Sequence, residues 1–306
     1  EIPSLVTSYS DYQNRFGTSF ESGSDEFSFL TSITAYNYFQ NGGNTMLVTR
    51  VVSGSSNWDY AQAEVSSSEG NKIAFTLETL DKGVIFNNSG STPNGSQLIT
   101  GGSGSLYSGS ADNIRWEIAN SSSVDGVFTL LIRQGNDNDN NKNVLETWSN
   151  LSLDPKADNY VARVIGDQYF KYNSAENYIE ITGSYANASR YVRVASVNAK
   201  TPNYFDNAGN AKSEYTGSIP AVGSGSDGGT FNSGAGTVIN ATEANNMYQY
   251  IGNGANDVTQ GLVGTDYTNM LNLLSNQDDY RFNLLVTPGL LNGDHASQVS
   301  TALNNT

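Results

Sequence analysis

The chain opens with SLVTSYSDYQNRFG at Ser4–Gly17, continues with FLTSITAYNYFQNGG at Phe29–Gly43 and reaches NTMLVTRVV at Asn44–Val52. These three phrases decide the fold class. Ser4 to Thr7 is short, apolar and β-branched, as a strand requires. Ser10 offers a hydroxyl at a helix N-cap, and Asp11 carries a charge suited to a first turn. Tyr12 and Phe16 stand four apart and share a face, and Gly17 supplies a left-handed C-cap. A second helix is predicted from near Ser24, with Asp25 and Glu26 in its first turn and Phe29, Ile33 and Tyr36 at core spacing. It stops at Asn41-Gly42-Gly43. Met46, Val48, Arg50 and Val52 then alternate with Leu47, Thr49 and Val51, so both faces are largely apolar and a strand covered on both sides is predicted.

Composition bounds the rest. At 306 residues the chain is long enough for two or three domains with a sizeable core. Hydrophobic residues make up 37%, below the usual roughly 45%, yet 18 Tyr, 12 Phe and 3 Trp are too many for a disordered polymer. Thirty acidic residues against 15 basic give a net charge of −15, which would repel a phosphate backbone and argues against nucleic acid as a partner. Cysteine is absent, so neither a disulfide framework nor a thiolate metal site is available. No apolar run is long enough for a membrane-spanning helix, and no basic, apolar signal region stands at the start. The sequence begins at Glu1 and breaks off at Asn304-Asn305-Thr306 within a helical pattern, which reads as a piece of a longer protein.

Beyond the opening module, glycine and serine set the organisation. Ser53 to Gly70 reads as a polar exit. Strands are predicted at Asn71–Leu80, Ile114–Ile118, Val127–Arg133 and Asn159–Ile165, with a short helix at Val144–Asn150 and a long Gly/Ser/Asn loop at Asn87–Gly109. Tyr178–Thr182 and Tyr191–Val197 alternate well; Ser213–Gly236 does not, and its core Gly223–Gly229 is too glycine-rich to hold one conformation without partners, so a surface excursion is expected. Helical periodicity returns at Ala241–Ile251, Tyr267–Leu274 and His295–Leu303, with a buried strand predicted at Phe282–Val286 before Thr287-Pro288-Gly289. The expected fold is α+β and multidomain: an α/β inner module at 1–55 plus 241–306, interrupted by a β-barrel or sandwich domain at 56–166 and a second β-rich domain at 167–240.

Motifs for chemistry mostly fail. Gly223-Ser224-Gly225-Ser226-Asp227-Gly228 matches a dinucleotide fingerprint in letters, but no apolar strand precedes it and no helix follows. Asp137 to Asn141 begins like a calcium loop, yet Lys142 replaces the sixth-position glycine and Trp148 the twelfth-position glutamate, leaving a solvated turn. His295, the only histidine, reads as a surface helix cap, and the neighbouring Asp278 and Asp279 point apart in a solvated turn. No catalytic residue, cofactor or metal is assigned, and the chain is not read as an enzyme.

The phrases VTSYSDYQNRFG, FQNGG and MLVTRVV resemble the N-terminal module of phage contractile-tail sheath proteins. The likeness recurs at Phe75-Thr76-Leu77, at NLSLDPKADNYVARVIGD (Asn150–Asp167) and at NLLVTPGL (Asn283–Leu290), and the Asn150–Asp167 phrase is most similar to the sheath of large myovirus tails. The resemblance implies a structural subunit that stacks as six-fold rings around a tail tube in the virion, after assembly in the host cytoplasm, and contracts to drive the tube into the host envelope. Its implied partners are copies of itself, the tube protein, and the baseplate and tail terminator proteins. It implies an inner α/β part against the tube and inserted β-domains outside. The family's remaining C-terminal segment has no counterpart in these residues. Arg50, Arg163, Lys200 and Arg281, basic groups in an acidic chain, are candidates for contacts with a neighbour's carboxylates. The alternative is a carbohydrate-binding or adhesin-like β-rich virion surface protein, with Trp58, Tyr107 and Trp116 as candidate sugar-stacking aromatics; a β-rich hydrolase would need a convergent carboxylate pair that is absent from the pattern.

Overall fold

A computed structural model describes residues 2–22, 25–28, 30–51, 60–82, 114–135, 137, 140–223, 229–230, 251–253 and 262–305. Helices and several small antiparallel sheets are both present among the described residues, so the chain is mixed α+β.

The opening segment folds as β1 (Ser4–Val6), α1 (Tyr9–Phe16), a hairpin of β2 (Ser19–Ser22) and β3 (Asp25–Ser28), α2 (Leu30–Gln40) and β4 (Met46–Val48). Strand β1 pairs antiparallel with β4, Leu5 facing Leu47. Ser8 rather than Ser10 caps α1, its hydroxyl accepting from the Asp11 N–H at 3.0 Å. Gly17 follows at a φ of 73°, where a glycine costs least. The second helix starts at Leu30, not near Ser24, because Asp25 to Ser28 are taken up in the hairpin. Its buried stripe is Ser32 and Ala35; Ile33 and Tyr36, expected in the core, are exposed. Small residues let α2 come close to the layer of Val6, Tyr12 and Val48. The strand predicted to run to Val52 and be covered on both sides is only three residues long and is covered on one.

The largest core lies in a β-sandwich. One sheet runs in the order β12 (Val192–Val197), β6 (Ile73–Lys82), β5 (Tyr60–Ser66); the other in the order β13 (Gly229–Thr230), β7 (Ile114–Ser122), β8 (Val127–Gln134), β9 (Val144–Ser152). Period-2 alternation drives it: Phe128, Leu130 and Ile132 of β8 and Ala61, Ala63 and Val65 of β5 all turn inward. Phe75 and Phe128 stack between the sheets with ring centroids 5.5 Å apart. Helix α3 (Val161–Ile165) adds Val161, Ala162 and Ile165 to the same core. Four local expectations change here. Tyr60–Ser66, read as part of a polar exit, is a strand, and Val144–Ser152, read partly as helix, is another. Val161–Ile165, read as strand, is helical, and β12, placed beyond residue 166 in a second β-rich unit, hydrogen-bonds to β6 and belongs to this core. A hairpin of β10 (Tyr169–Asn173) and β11 (Tyr178–Thr182) and a short helix α4 (Ser213–Thr216) complete the middle of the chain.

A third cluster closes the described chain. Ile251, Tyr267 and Leu271 are buried together, with Val51, Leu262, Met270, Leu285, Leu290 and Ala302 packed against them. They are carried by a 3-10 turn at Gly264–Tyr267, α5 (Thr268–Leu273) and α6 (Ala296–Asn304). The strand expected at Phe282–Val286 is irregular, and Leu284 and Val286 are exposed. The helix expected at 241–251 lies outside the described residues except for Ile251, as do the loop at 87–109 and most of the glycine run at 223–229.

Two phenols in these cores carry a pH dependence. Burial, and then the nearby Tyr9 hydroxyl, raises Tyr12 to about 12; burial, and then Asp266, raises Tyr267 to about 12. A phenol whose folded pKa exceeds its unfolded value of about 10 stabilises the fold fully below that value, and the contribution is lost as pH rises from about 10 through about 12. For Tyr267 the loss is on the order of 3 kcal/mol. Urea unfolding followed through that range should therefore show a steep alkaline decline that Tyr267→Phe flattens; an unchanged slope in the variant would refute the assignment.

Candidate assembly surface

Among the described residues, buried charge is held in ion-pair networks that tie strands and turns together. At the end of β8, Arg133 is fully buried: its Nε and NH2 donate to the two carboxylate oxygens of Asp137 at 2.7 and 2.9 Å, and NH1 donates to Glu117 at 2.8 Å. Lys142 donates to the other Glu117 oxygen at 2.7 Å, and the Asn143 N–H donates to Asp137 at 2.9 Å. Burial opposes the charge on Arg133, but the hydrogen bonds and attraction of Asp137, then of Glu117, outweigh it and raise its pKa above the ordinary value. Asp137 is thus the buried anchor of β8, not part of a solvated turn.

A second network ties β12 to β6. Arg193 pairs with its cross-strand partner Glu78, which also accepts from Gln62 at 2.8 Å, and the guanidinium lies 4.5 Å from the Tyr169 ring centroid. His295 is a third anchor. It is buried, its Nδ1 accepting from the Leu291 N–H at 3.2 Å, which leaves Nε2 to carry the proton and donate to the Ile251 carbonyl at 2.8 Å. The expected surface cap is instead a buried imidazole bridging two segments. Its burial was not readable from its Gly-Asp-His setting.

Among the described residues, no group of three or more His, Cys, Asp or Glu is placed to hold a metal, and no helix is long and apolar enough to cross a membrane. Asp278 and Asp279 sit in an exposed turn, Asp279 accepting from Asn276 at 2.8 Å. One shallow depression is lined by Ser68, Ser121, Ser123 and Thr216 with apolar neighbours, and another has Lys72 and Lys200 as its titratable groups. Neither presents an acid facing a base. Trp116, a candidate sugar platform, is buried in the sandwich, while Trp58 and Tyr107 lie outside the described residues.

The four candidate contact residues stand on four different segments. Arg50 is exposed just after β4, and Arg281 is exposed on the irregular segment after α5. Lys200 is exposed beyond β12. Arg163, on α3, is engaged within its own chain, 3.3 Å from Asp158 and 5.5 Å from the Tyr185 ring centroid.

Apolar exposure is more concentrated than charge, and it lies on the opening unit. Tyr9 of α1 bonds Ser32 of α2 at 3.2 Å and meets Tyr36 edge-on at 5.2 Å. With Ser32 and Ala35 turned inward, Leu30, Ile33 and Tyr36 are left along the helix flank, and Leu5 and Leu47 are left on the uncovered side of the β1–β4 sheet. The signal for this was present in the sequence as an amphipathic pattern, but it pointed to a core instead of a surface. No family model, no curated protein and no solved structure matches the chain.

Proposed function

We propose that the chain is a structural subunit of a phage contractile tail sheath, stacking with copies of itself around a tail tube and meeting baseplate and terminator proteins at the ends of the array. The observation that carries this reading is Val51, which directly follows the opening layer and packs into the closing cluster of Ile251, Tyr267 and Leu271. Contact between the end of the opening segment and the closing cluster is what an interrupted inner body would bring about, and it supports that reading. A head-to-tail contact between such bodies that does not close on itself builds rings or a helical array. Rigid subunits exchanging one set of contacts for another would give that array an extended and a contracted packing.

Negative-stain microscopy of the protein tests the reading: tubes or long polysheaths support it, and persistent monomers with glycan affinity favour the carbohydrate-binding alternative. Because copies of net charge −15 repel, screening over about 10 Å at about 0.1 M salt should tighten assembly. Sedimentation showing association that weakens steadily as salt is added would count against it.

A further inference from the structure

The geometry points to a specific heterologous contact between copies, in which the uncovered face of the β1–β4 sheet of one chain receives the apolar flank of α2 from the next. The inference rests on the reading of the chain as a self-stacking subunit and names the surfaces that stack.

Three observations carry it. First, the Thr45–Val52 sequence is apolar on both alternating sets, the pattern of a strand buried on both faces, yet helices cover one face only. Val6 and Val48 are buried against Ala35 and Tyr12, while the cross-strand pair Leu5 and Leu47 is 54% and 39% exposed. Among the described residues, no helix or sheet lies over the Leu5–Leu47 side. Second, α2 carries an apolar stripe that stays open to solvent: Leu30, Ile33 and Tyr36, spaced three apart on one flank, are 42%, 44% and 46% exposed, Tyr36 touching Tyr9 by its edge alone. A helix laid on the bare side of a short sheet is the ordinary way to complete such a layer. Third, in a chain of net charge −15, β1, β4 and all of α2 contain no charged residue. These are the surfaces on which two acidic copies approach with least repulsion.

The two patches differ, one on the sheet layer turned away from the helices and one on the helix layer. A copy using its sheet patch against a neighbour's helix patch keeps its own helix patch free for another neighbour, so association continues instead of stopping at a dimer.

The test uses the exposed positions Leu47→Glu and Ile33→Glu in the whole chain, with circular dichroism to show that each variant is folded. Each alone should need at least about ten-fold more protein than the wild type to assemble, since an interfacial carboxylate would be stripped of water without a partner. Mixed one to one, they should form dimers and nothing larger, because the intact sheet face of Ile33→Glu fits the intact helix face of Leu47→Glu. The absence of native cysteine allows a second readout: Leu47→Cys and Ile33→Cys should crosslink to each other and neither to itself. Assembly of either folded Glu variant at wild-type concentrations, or a mixture that stays monomeric, would overturn the contact. If wild-type tubes form while those variants also assemble normally, the faces are wrong and the sheath reading stands; if the wild type never associates, both fall.

Discussion

Asp137→Ala is expected to destabilise the fold by about 3–5 kcal/mol, the cost of stranding a buried charge. Arg133 has no exposed surface, and two of its donors end on Asp137. Without that carboxylate, Arg133 loses the acceptor of two of its donors, Glu117 is already shared with Lys142, and the Asn143 N–H loses its acceptor as well. Against a total stability of about 5–15 kcal/mol for a typical domain, this is a large fraction. Urea denaturation reads the loss directly. The double variant Arg133→Met with Asp137→Ala should recover much of it, because an apolar replacement removes the charge that needed solvating. A single-variant loss below about 1 kcal/mol would mean that water reaches Arg133 and that the network contributes little.

Phe128→Ala should cost a similar amount, about 3–5 kcal/mol, for a different reason. Its ring is fully buried and stacks on Phe75 from the opposite sheet at an interplanar angle of 25°. Truncation loses the apolar transfer energy and leaves a void that two hydrogen-bonded sheets cannot easily close. The stack adds about 0.5–1.5 kcal/mol beyond burial. Val124→Ala, on the exposed β7–β8 turn, is the control and should change stability by less than about 0.5 kcal/mol. Equal effects from the two substitutions would show that the sheets do not share one core.

The parts of this fold that could be read in advance are those set by local periodicity. Phe128, Leu130 and Ile132 announce a strand because alternate residues face one way whatever the partner, and Tyr267 to Leu274 and His295 to Leu303 announce helices in the same manner. Burial of polar groups was not legible, because it depends on what arrives from elsewhere. Asp137 looks like a turn residue until Arg133 is seen to be sealed beneath it. The pairing of Arg193 with Glu78 was equally hidden, since β12 reaches β6 across most of the sandwich sequence. Short apolar runs misled in both directions: Phe282–Val286 has strand composition without a ladder, and Val161–Ile165, also β-branched, is wound into α3. As for the candidate surface, Ile33 and Tyr36 were identified as an apolar stripe, but sequence alone assigns such a stripe to a core and does not say whose.

His295 has a consequence for what could replace it. Its two ring nitrogens meet the Leu291 N–H and the Ile251 carbonyl, so an aliphatic side chain of similar volume would fill the space and still strand one donor and one acceptor. As the chain has a single imidazole, its ring resonances stand alone in a spectrum and report directly whether the two segments it spans stay fastened together.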